Sequence, residues 1–245
     1  MKRFDRRIPD TIFSDSFGSG KTNEMARHFD RKAADWDANE RRRAMAADIV
    51  RAVEREWPTD FAPKLLDYGA GTGLCSLALA PRCKSVLAMD VSAEMLAQLV
   101  RKATAAGMNH LQTLQHDLCC SPLDGCRFDV ILCAMTLHHI EDVDFILGRF
   151  QSMLEPGGFL VIADLETEDG TFHDEPTGVY HTGFNRDCLS RKMMIAGFTF
   201  VTVDTIHRIS KTRDAVTKDY PIFCAVGRTR VASSNSEQIH STRPI

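Results

Sequence analysis

The chain has 245 residues, of which 44% are hydrophobic and 26% charged, with 30 basic and 33 acidic side chains giving a formal net charge of −3. This length suits one sizeable α/β domain with extensions and is short for two ordinary ones. The charge balance argues against a polyanionic partner, and the short runs Lys2-Arg3, Arg6-Arg7 and Arg41-Arg42-Arg43 read as solvated surface, so no nucleic acid is expected.

Residues 1–22 are polar and aperiodic and read as a flexible leader. Gly18-Ser19-Gly20-Lys21-Thr22 imitates the end of a phosphate-binding loop. The full motif needs glycine five positions before Gly20, where Asp15 stands, and no apolar strand precedes it. Acidic Asp5, Asp10 and Asp15 argue against a transit peptide, and the N-terminus lacks the apolar stretch of a secretion signal. No run is long enough to cross a bilayer, so a cytoplasmic protein without membrane insertion is expected. The eight cysteines then read as reduced thiols, with Cys133 a small hydrophobe in a core strand.

Two helices are predicted at 24–36 and 40–57, the second with Met45, Ile49, Val53 and Trp57 at spacing four. A strand follows at 64–68, a short helix at 74–80, and a second strand at 85–89 ending on Asp90. Ser92 caps a helix with Met95, Leu96, Leu99, Val100 and Ala103 on one face and Gly107 as terminator. Strands are predicted near 110–115 and 128–133. A helix at 141–154 is stopped by Pro156-Gly157-Gly158, and a fifth strand covers 159–164. A polar loop spans 165–184, a helix runs to Ala196 before Gly197, and strands near 198–208 and 220–227 flank a polar turn. Residues 229–245 read as a flexible tail. The alternation implies a mostly parallel sheet covered on both faces, with ligands outside the carboxyl ends of its strands.

One strand breaks into Asp67-Tyr68-Gly69-Ala70-Gly71-Thr72-Gly73. Glycine at every second position lets backbone turn sharply and approach a ligand closely. The spacing is G-x-G-x-G, with Leu74 where a dinucleotide fingerprint has its third glycine. Asp67 would repel a pyrophosphate and suits an ammonium, which describes S-adenosylmethionine. Asp90, followed by Val91, is placed to accept from both ribose hydroxyls. Asp117 is placed to accept from the adenine amino group, with Leu118 covering the ring. Met135 and Thr136 would border the methionine part, and Phe29 and Trp36 pack on the cofactor or anchor the first helix.

These motifs, together with Phe128-Asp129-Val130-Ile131, Leu137-His138-His139-Ile140 and Leu154-Glu155-Pro156-Gly157-Gly158, resemble in order those of class I S-adenosylmethionine-dependent methyltransferases. The likeness covers roughly residues 24–227. Within that group the chain is most similar to the small-molecule branch related to ubiquinone and menaquinone biosynthesis methyltransferases, which His28-Phe29-Asp30, Ala33-Ala34 and Trp36-Asp37 also resemble. The resemblance implies a Rossmann-like α/β fold, a seven-stranded mostly parallel sheet with helices on both faces and an antiparallel C-terminal hairpin. It further implies one domain at 23–228, whose residues 23–60 form a helical lid.

Methyl transfer needs an aligned acceptor, exclusion of water and, for a protonated acceptor, a base. His138, His139, His173 and His181 are the candidates, although the His-His pair also looks like a structural cap. The loop acids Asp164, Glu166, Glu168, Asp169, Asp174 and Glu175, with His173 and His181, could bind a hard divalent metal or supply a base, but they follow no known ligand spacing and read as a solvated acidic loop, so no metal is expected. Cys133-Ala134-Met135-Thr136 stands where enzymes that methylate base amines resemble one another in an Asn/Asp-Pro-Pro-aromatic tetrad, leaving a small organic acceptor. Alternatives are a non-catalytic module binding the same cofactor, an NAD(P)-dependent reductase and, through Cys119, Cys120 and Cys126, metalloid methylation.

Overall fold

The computed structural model describes residues 20–231. Parallel strands β1 (Lys64–Tyr68), β2 (Ser85–Asp90), β3 (Leu111–Gln115), β4 (Phe128–Ala134) and β5 (Leu154–Leu165) are joined by helices except between β3 and β4, which a loop connects, and the antiparallel pair β6 (Thr199–Arg213) and β7 (Val216–Arg228) completes the sheet. The order is β3-β2-β1-β4-β5-β7-β6, with strand order reversing between β1 and β4. Helices α1 (Gly20–Lys32), α2 (Glu40–Arg55), α3 (Leu74–Leu79), α4 (Ala93–Ala105), α5 (Val143–Met153) and α6 (Arg186–Ile195) surround it.

The central strands are near-continuous apolar runs because both faces are covered. Leu65, Val130 and Val161 belong to the core under α2 and α3, whereas Leu66, Ile131 and Leu160 belong to the core under α5 and α6. The spaced residues Met45, Ile49 and Val53 of α2 are buried, as is Trp57, which lies two residues beyond the helix's end at Arg55 rather than within it as expected. Ser92 caps α4 by accepting from the Met95 N–H at 3.2 Å, and Gly107 follows that helix at φ +67°.

Several boundaries differ from the sequence reading. Helix α1 begins at Gly20 and takes in Lys21 and Thr22, assigned above to the leader, whose remaining residues lie outside the described ones. Thr229 is buried and its hydroxyl donates to the Glu155 carbonyl at 2.8 Å, so the folded chain continues past 228; the tail beyond 231 is outside the described residues. Val100 is 44% exposed, at the margin of the face that buries Leu96 and Leu99. Pro156-Gly157-Gly158 lies inside β5, where the register with β4 shifts, because Leu154 already pairs with Phe128. The turn predicted at 209–219 shrinks to Asp214-Ala215, both at positive φ, and the flanking polar residues pair across β6 and β7.

Candidate active site

A cavity of about 910 Å³ opens outside the carboxyl ends of β1, β2, β4 and β5, where the strand order reverses. Asp67, Gly69, Ala70, Gly71, Asp90 and Val91 form one side of its wall, and Asp117, Met135, Phe29 and Trp36 also reach it. Of the residues expected to hold a cofactor, Gly73 and Leu118 do not line it.

The three glycines have separate reasons. All sit at positive φ, +76°, +55° and +84° for Gly69, Gly71 and Gly73. A Cβ on Gly69 would lie 2.1 Å from Thr136 Oγ1, and one on Gly73 would lie 2.5 Å from Leu99 Cγ, so these two let the loop pack on β4's end and on α4. A Cβ on Gly71 would meet no protein atom within 4 Å. Of the three, only Gly71 has an open Cβ position, and it lines the cavity. At Gly69 and Gly73 the requirement for glycine comes from packing against the protein, while Gly69 also lines the cavity and Gly73 does not.

The strand-end acids are fixed by hydrogen bonds. Asp67 is 1% exposed and accepts from Ser76 Oγ at 2.5 Å. Burial pushes its carboxyl up to about 6, against the Ser76 bond and with help from the negative charge of Asp90. Asp90 accepts from the Gly71 N–H at 2.7 Å and the Ser92 N–H at 2.8 Å. Burial raises its pKa, while these backbone bonds favour the ionised form. Asp117 accepts from the Cys119 N–H at 2.8 Å and from Tyr68 Oη at 3.2 Å. Beside it the cavity is walled by His116, Cys119 and Cys120, whereas Leu118 is fully buried in the core with Leu114 and Phe128. Leu118 therefore does not face the cavity, contrary to the expectation that it covers a ring there. Cys126 does not reach the cavity, which removes one of the three thiols behind the metalloid reading.

Helix α1 and the 3-10 turn Trp36–Ala38 cover the cavity from the N-terminal side. Asp30 accepts from Ser92 Oγ at 2.6 Å, and Asp37 accepts from Thr72 Oγ1 and Lys102 Nζ, both at 2.5 Å. Two aspartates thus fasten the cover to α4 and to the glycine loop. Phe29 meets Trp36 edge-on at 5.8 Å and His139 at 5.2 Å, so it contacts both sides of the cavity. Arg42 stacks over Trp36 at 3.7 Å. By contrast α2, assigned above to the lid, is largely a core helix and contributes only part of the wall.

The far wall is built from histidines. His138 is 1% exposed, with Nδ1 at 2.7 Å from Asp164 Oδ1. Its ring centroid lies 4.1 Å from that of His139 and 4.9 Å from that of His173. His139 Nδ1 lies 2.7 Å from the Gly178 carbonyl. Burial first, and then the neighbouring His138, push His139 down to about 3 and His173 down to about 4, which favours the neutral form of both rings. His181, the fourth candidate, is outside the cavity: its Nε2 bonds the Ile140 carbonyl at 2.9 Å and its ring packs on Phe184. It pins the 165–184 loop, which is a structural role.

The loop acids are mostly paired. Glu166 binds Arg186, Asp169 binds Lys218, Asp174 binds Arg213, and Glu175 lies 3.1 Å from Lys32. Among the described residues no group of three or more His, Cys, Asp or Glu is disposed to hold a metal ion. The sequence reading also missed wall residues: His28, whose Nε2 is 2.8 Å from Lys32 Nζ, Phe172, and Lys211 stacked over Phe172 at 4.4 Å. His28 carried a signal, since it stands beside Phe29 in the His-Phe-Asp run. Phe172 and Lys211 carried none, because a loop and an edge strand bring them in.

Residues 65–158 match the family model described as methyltransferase domain. An uncharacterized methyltransferase of Schizosaccharomyces pombe is 33% identical over 116 residues, covering 44% of this chain and 41% of that protein. A malonyl-acyl-carrier-protein O-methyltransferase of Methylovorus is 31% identical over 158 residues, covering 58% and 49%. The chain thus spans about half the length of these curated relatives. Among solved structures, a DhpI–SAH complex superposes with a TM-score of 0.67 at 21% identity, covering 87% of this chain and 99% of that one. The fold is therefore that of the Rossmann-like methyltransferases, with the antiparallel β6–β7 pair expected from the sequence.

Proposed function

We propose that the chain is an S-adenosylmethionine-dependent methyltransferase acting on a small organic acceptor. The observation that carries this reading is the open space at Gly71, where backbone at φ +55° borders a cavity ringed by the three strand-end acids and no protein atom fills the Cβ position. Those residues fit the cofactor's chemistry. Asp67 meets an ammonium, Asp90 accepts from vicinal ribose hydroxyls with lone pairs left after its two backbone bonds, and Asp117 accepts from an exocyclic amine. When bound, the sulfonium supplies an electrophilic methyl group. The chain's own tasks are to hold the acceptor in line beyond Met135, to exclude water with α1 and the Trp36–Ala38 turn, and to accept any proton released.

The volume, at the upper end of the roughly 300–1,000 Å³ of ligand pockets, allows a cofactor and a second small molecule together. The likeness of His28-Phe29-Asp30 and Trp36-Asp37 to the ubiquinone and menaquinone branch supports a small acceptor, because these residues form part of the cover. Calorimetric titration with S-adenosylhomocysteine, followed by a crystal structure of the complex, tests the reading. One molecule along the Gly71 side of the cavity is the expected result. No binding, or preferential binding of a nicotinamide dinucleotide, would overturn it.

A further inference from the structure

The strand-end acids account for one side of the cavity and leave its positive charge unexplained. Lys211 of β6 and Arg41 and Arg42 of α2 line it, although Arg41-Arg42-Arg43 reads in the sequence as solvated surface. Arg42 is oriented by stacking over Trp36 at 3.7 Å and by donating to the Trp36 carbonyl at 3.4 Å. Lys211 Nζ donates to the Phe172 carbonyl and lies 4.4 Å from the centroid of that ring. The Arg41 side chain is exposed and makes no ion pair among the described residues.

Carboxylates near these cations are engaged elsewhere. Glu175 lies 3.1 Å from Lys32, Asp174 binds Arg213, and Asp37 accepts from Lys102 Nζ at 2.5 Å. Burial is the first cause that holds Lys211 below the ordinary lysine range. Asp174 pulls it up, and the charges of Arg213, Arg41 and Arg42 push it further down, so these cations repel one another across the cavity rim. The first turn of α2 adds to the imbalance. A helix N-terminus carries partial positive charge and favours acids, yet Arg41 and Arg42 stand there beside the single acid Glu40. Positive charge is thus gathered at a cost to the fold and faces a cavity, where an anion would relieve it.

The remainder of this wall is apolar. Met45, Ile49, Phe172 and Ile209 line the cavity and belong to one core cluster, against which Met135 and Ala70 also pack. Apolar surface therefore connects the cations with the glycine loop.

We propose, resting on the methyltransferase reading above, that the acceptor is an amphipathic anion, whose carboxylate or phosphate is held by Arg41, Arg42 and Lys211 and whose apolar body lies along Met45, Ile49 and Ile209 toward the methyl donor. Guanidinium groups match either oxyanion with paired N–H donors, and the charge attraction is stronger in a covered cavity than in open water. Binding energy from this non-reacting end orients the acceptor for in-line transfer.

The test saturates the protein with S-adenosylhomocysteine and titrates in four probes with alkyl chains of similar length: octanoate, octyl phosphate, octylamine and 1-octanol. The wild type is expected to bind one or both anions about 10–100-fold more tightly than the alcohol, and more weakly as salt rises; the tighter of the two identifies carboxylate or phosphate. Arg41→Gln, which removes an exposed charge, and Lys211→Met, which keeps an unbranched chain over Phe172, are each expected to lower anion affinity by about 10-fold with affinities for 1-octanol and S-adenosylhomocysteine unchanged. Lys211→Glu is expected to turn the preference toward octylamine, which a purely structural lysine would not do. If the Lys211 variants do not fold, Arg41→Gln and the wild-type salt dependence still decide. Two outcomes overturn the inference while sparing the methyltransferase reading. One is a wild type that binds cofactor and takes neither anion more tightly than the alcohol. The other is a loss of S-adenosylhomocysteine affinity in step with anion affinity, since the cations would then serve the cofactor's own carboxylate. Failure to bind cofactor at all overturns both.

Discussion

Replacement of Asp67 by asparagine separates the cost of a buried charge from its use. The carboxyl is 1% exposed and, through burial, is moved from its ordinary 3.8 to about 6. That displacement corresponds to roughly 3 kcal/mol against the ionised form in the folded protein. Because the folded value lies above the unfolded one, the folded state binds more protons between them. Stability therefore falls as pH rises through that window, and the penalty is complete above about pH 6. Asp67→Asn keeps an oxygen to accept from Ser76 Oγ and adds an N–H that needs a partner, which offsets part of the gain. The variant without ligand is expected to be more stable than wild type by about 1–3 kcal/mol at neutral pH and no more stable below about pH 4. For S-adenosylhomocysteine the order reverses: wild-type affinity should climb as pH rises through about 6, and the variant should bind weakly with no such climb. Denaturant melts and calorimetric titrations on both sides of that pH measure the two effects. A variant less stable at neutral pH, or a wild-type affinity flat across the window, would refute the reasoning.

Gly71→Val should abolish binding of S-adenosylhomocysteine while the protein stays folded, losing only about 1–2 kcal/mol to the left-handed backbone at φ +55° because its Cβ meets no protein atom. Gly69→Ala and Gly73→Ala should instead lower stability by roughly 2–4 kcal/mol, from the left-handed backbone together with contacts of 2.1 Å to Thr136 and 2.5 Å to Leu99. Thermal melts beside binding curves distinguish the two outcomes. Asp90→Ala should weaken cofactor binding by roughly 1.5–3 kcal/mol, with some loop loosening because the Gly71 and Ser92 N–H groups lose their acceptor; unchanged affinity by calorimetry would remove the ribose assignment. Leu118→Ala should cost about 2–5 kcal/mol of stability as a core truncation and leave affinity nearly unaltered. A large affinity loss with little destabilisation would restore the adenine-covering role.

Where residues speak through periodicity, the sequence was readable. The α2 stripe, the parallel core strands and the Ser92 cap are local patterns with one physical meaning, and the structure has them where the pattern puts them. Misreadings arose where a residue type serves two ends. Glycine at 69 and 73 signals close approach, and the atoms a Cβ would meet there belong to Thr136 and Leu99. Leu118 follows an acid at a strand end, yet the chain turns its side chain inward. Asp214-Ala215 carries no glycine or asparagine to announce a two-residue turn, so the polar residues around it read as loop although they pair across the edge of the sheet.

The far half of the cavity was hardest to read because its parts meet only in space. Phe172 and His173 come from a loop with little secondary structure, Lys211 from the edge strand and His28 from α1; no local pattern ties them together. One pairing was nevertheless within reach. Parallel β4 and β5 place Ala134 opposite Ala163, so the residues just beyond each emerge at the same end of the sheet. Once that order is granted, a histidine a few residues past β4 and an aspartate near the end of β5 must be neighbours, although 26 residues separate them in the chain. Topology rather than motif spacing therefore turns His138 from one of four interchangeable candidates into the imidazole with a carboxylate behind it. The same argument sets His181 aside, since it follows a loop that has already left the strand ends and its ring is held by the Ile140 carbonyl instead of facing the cavity.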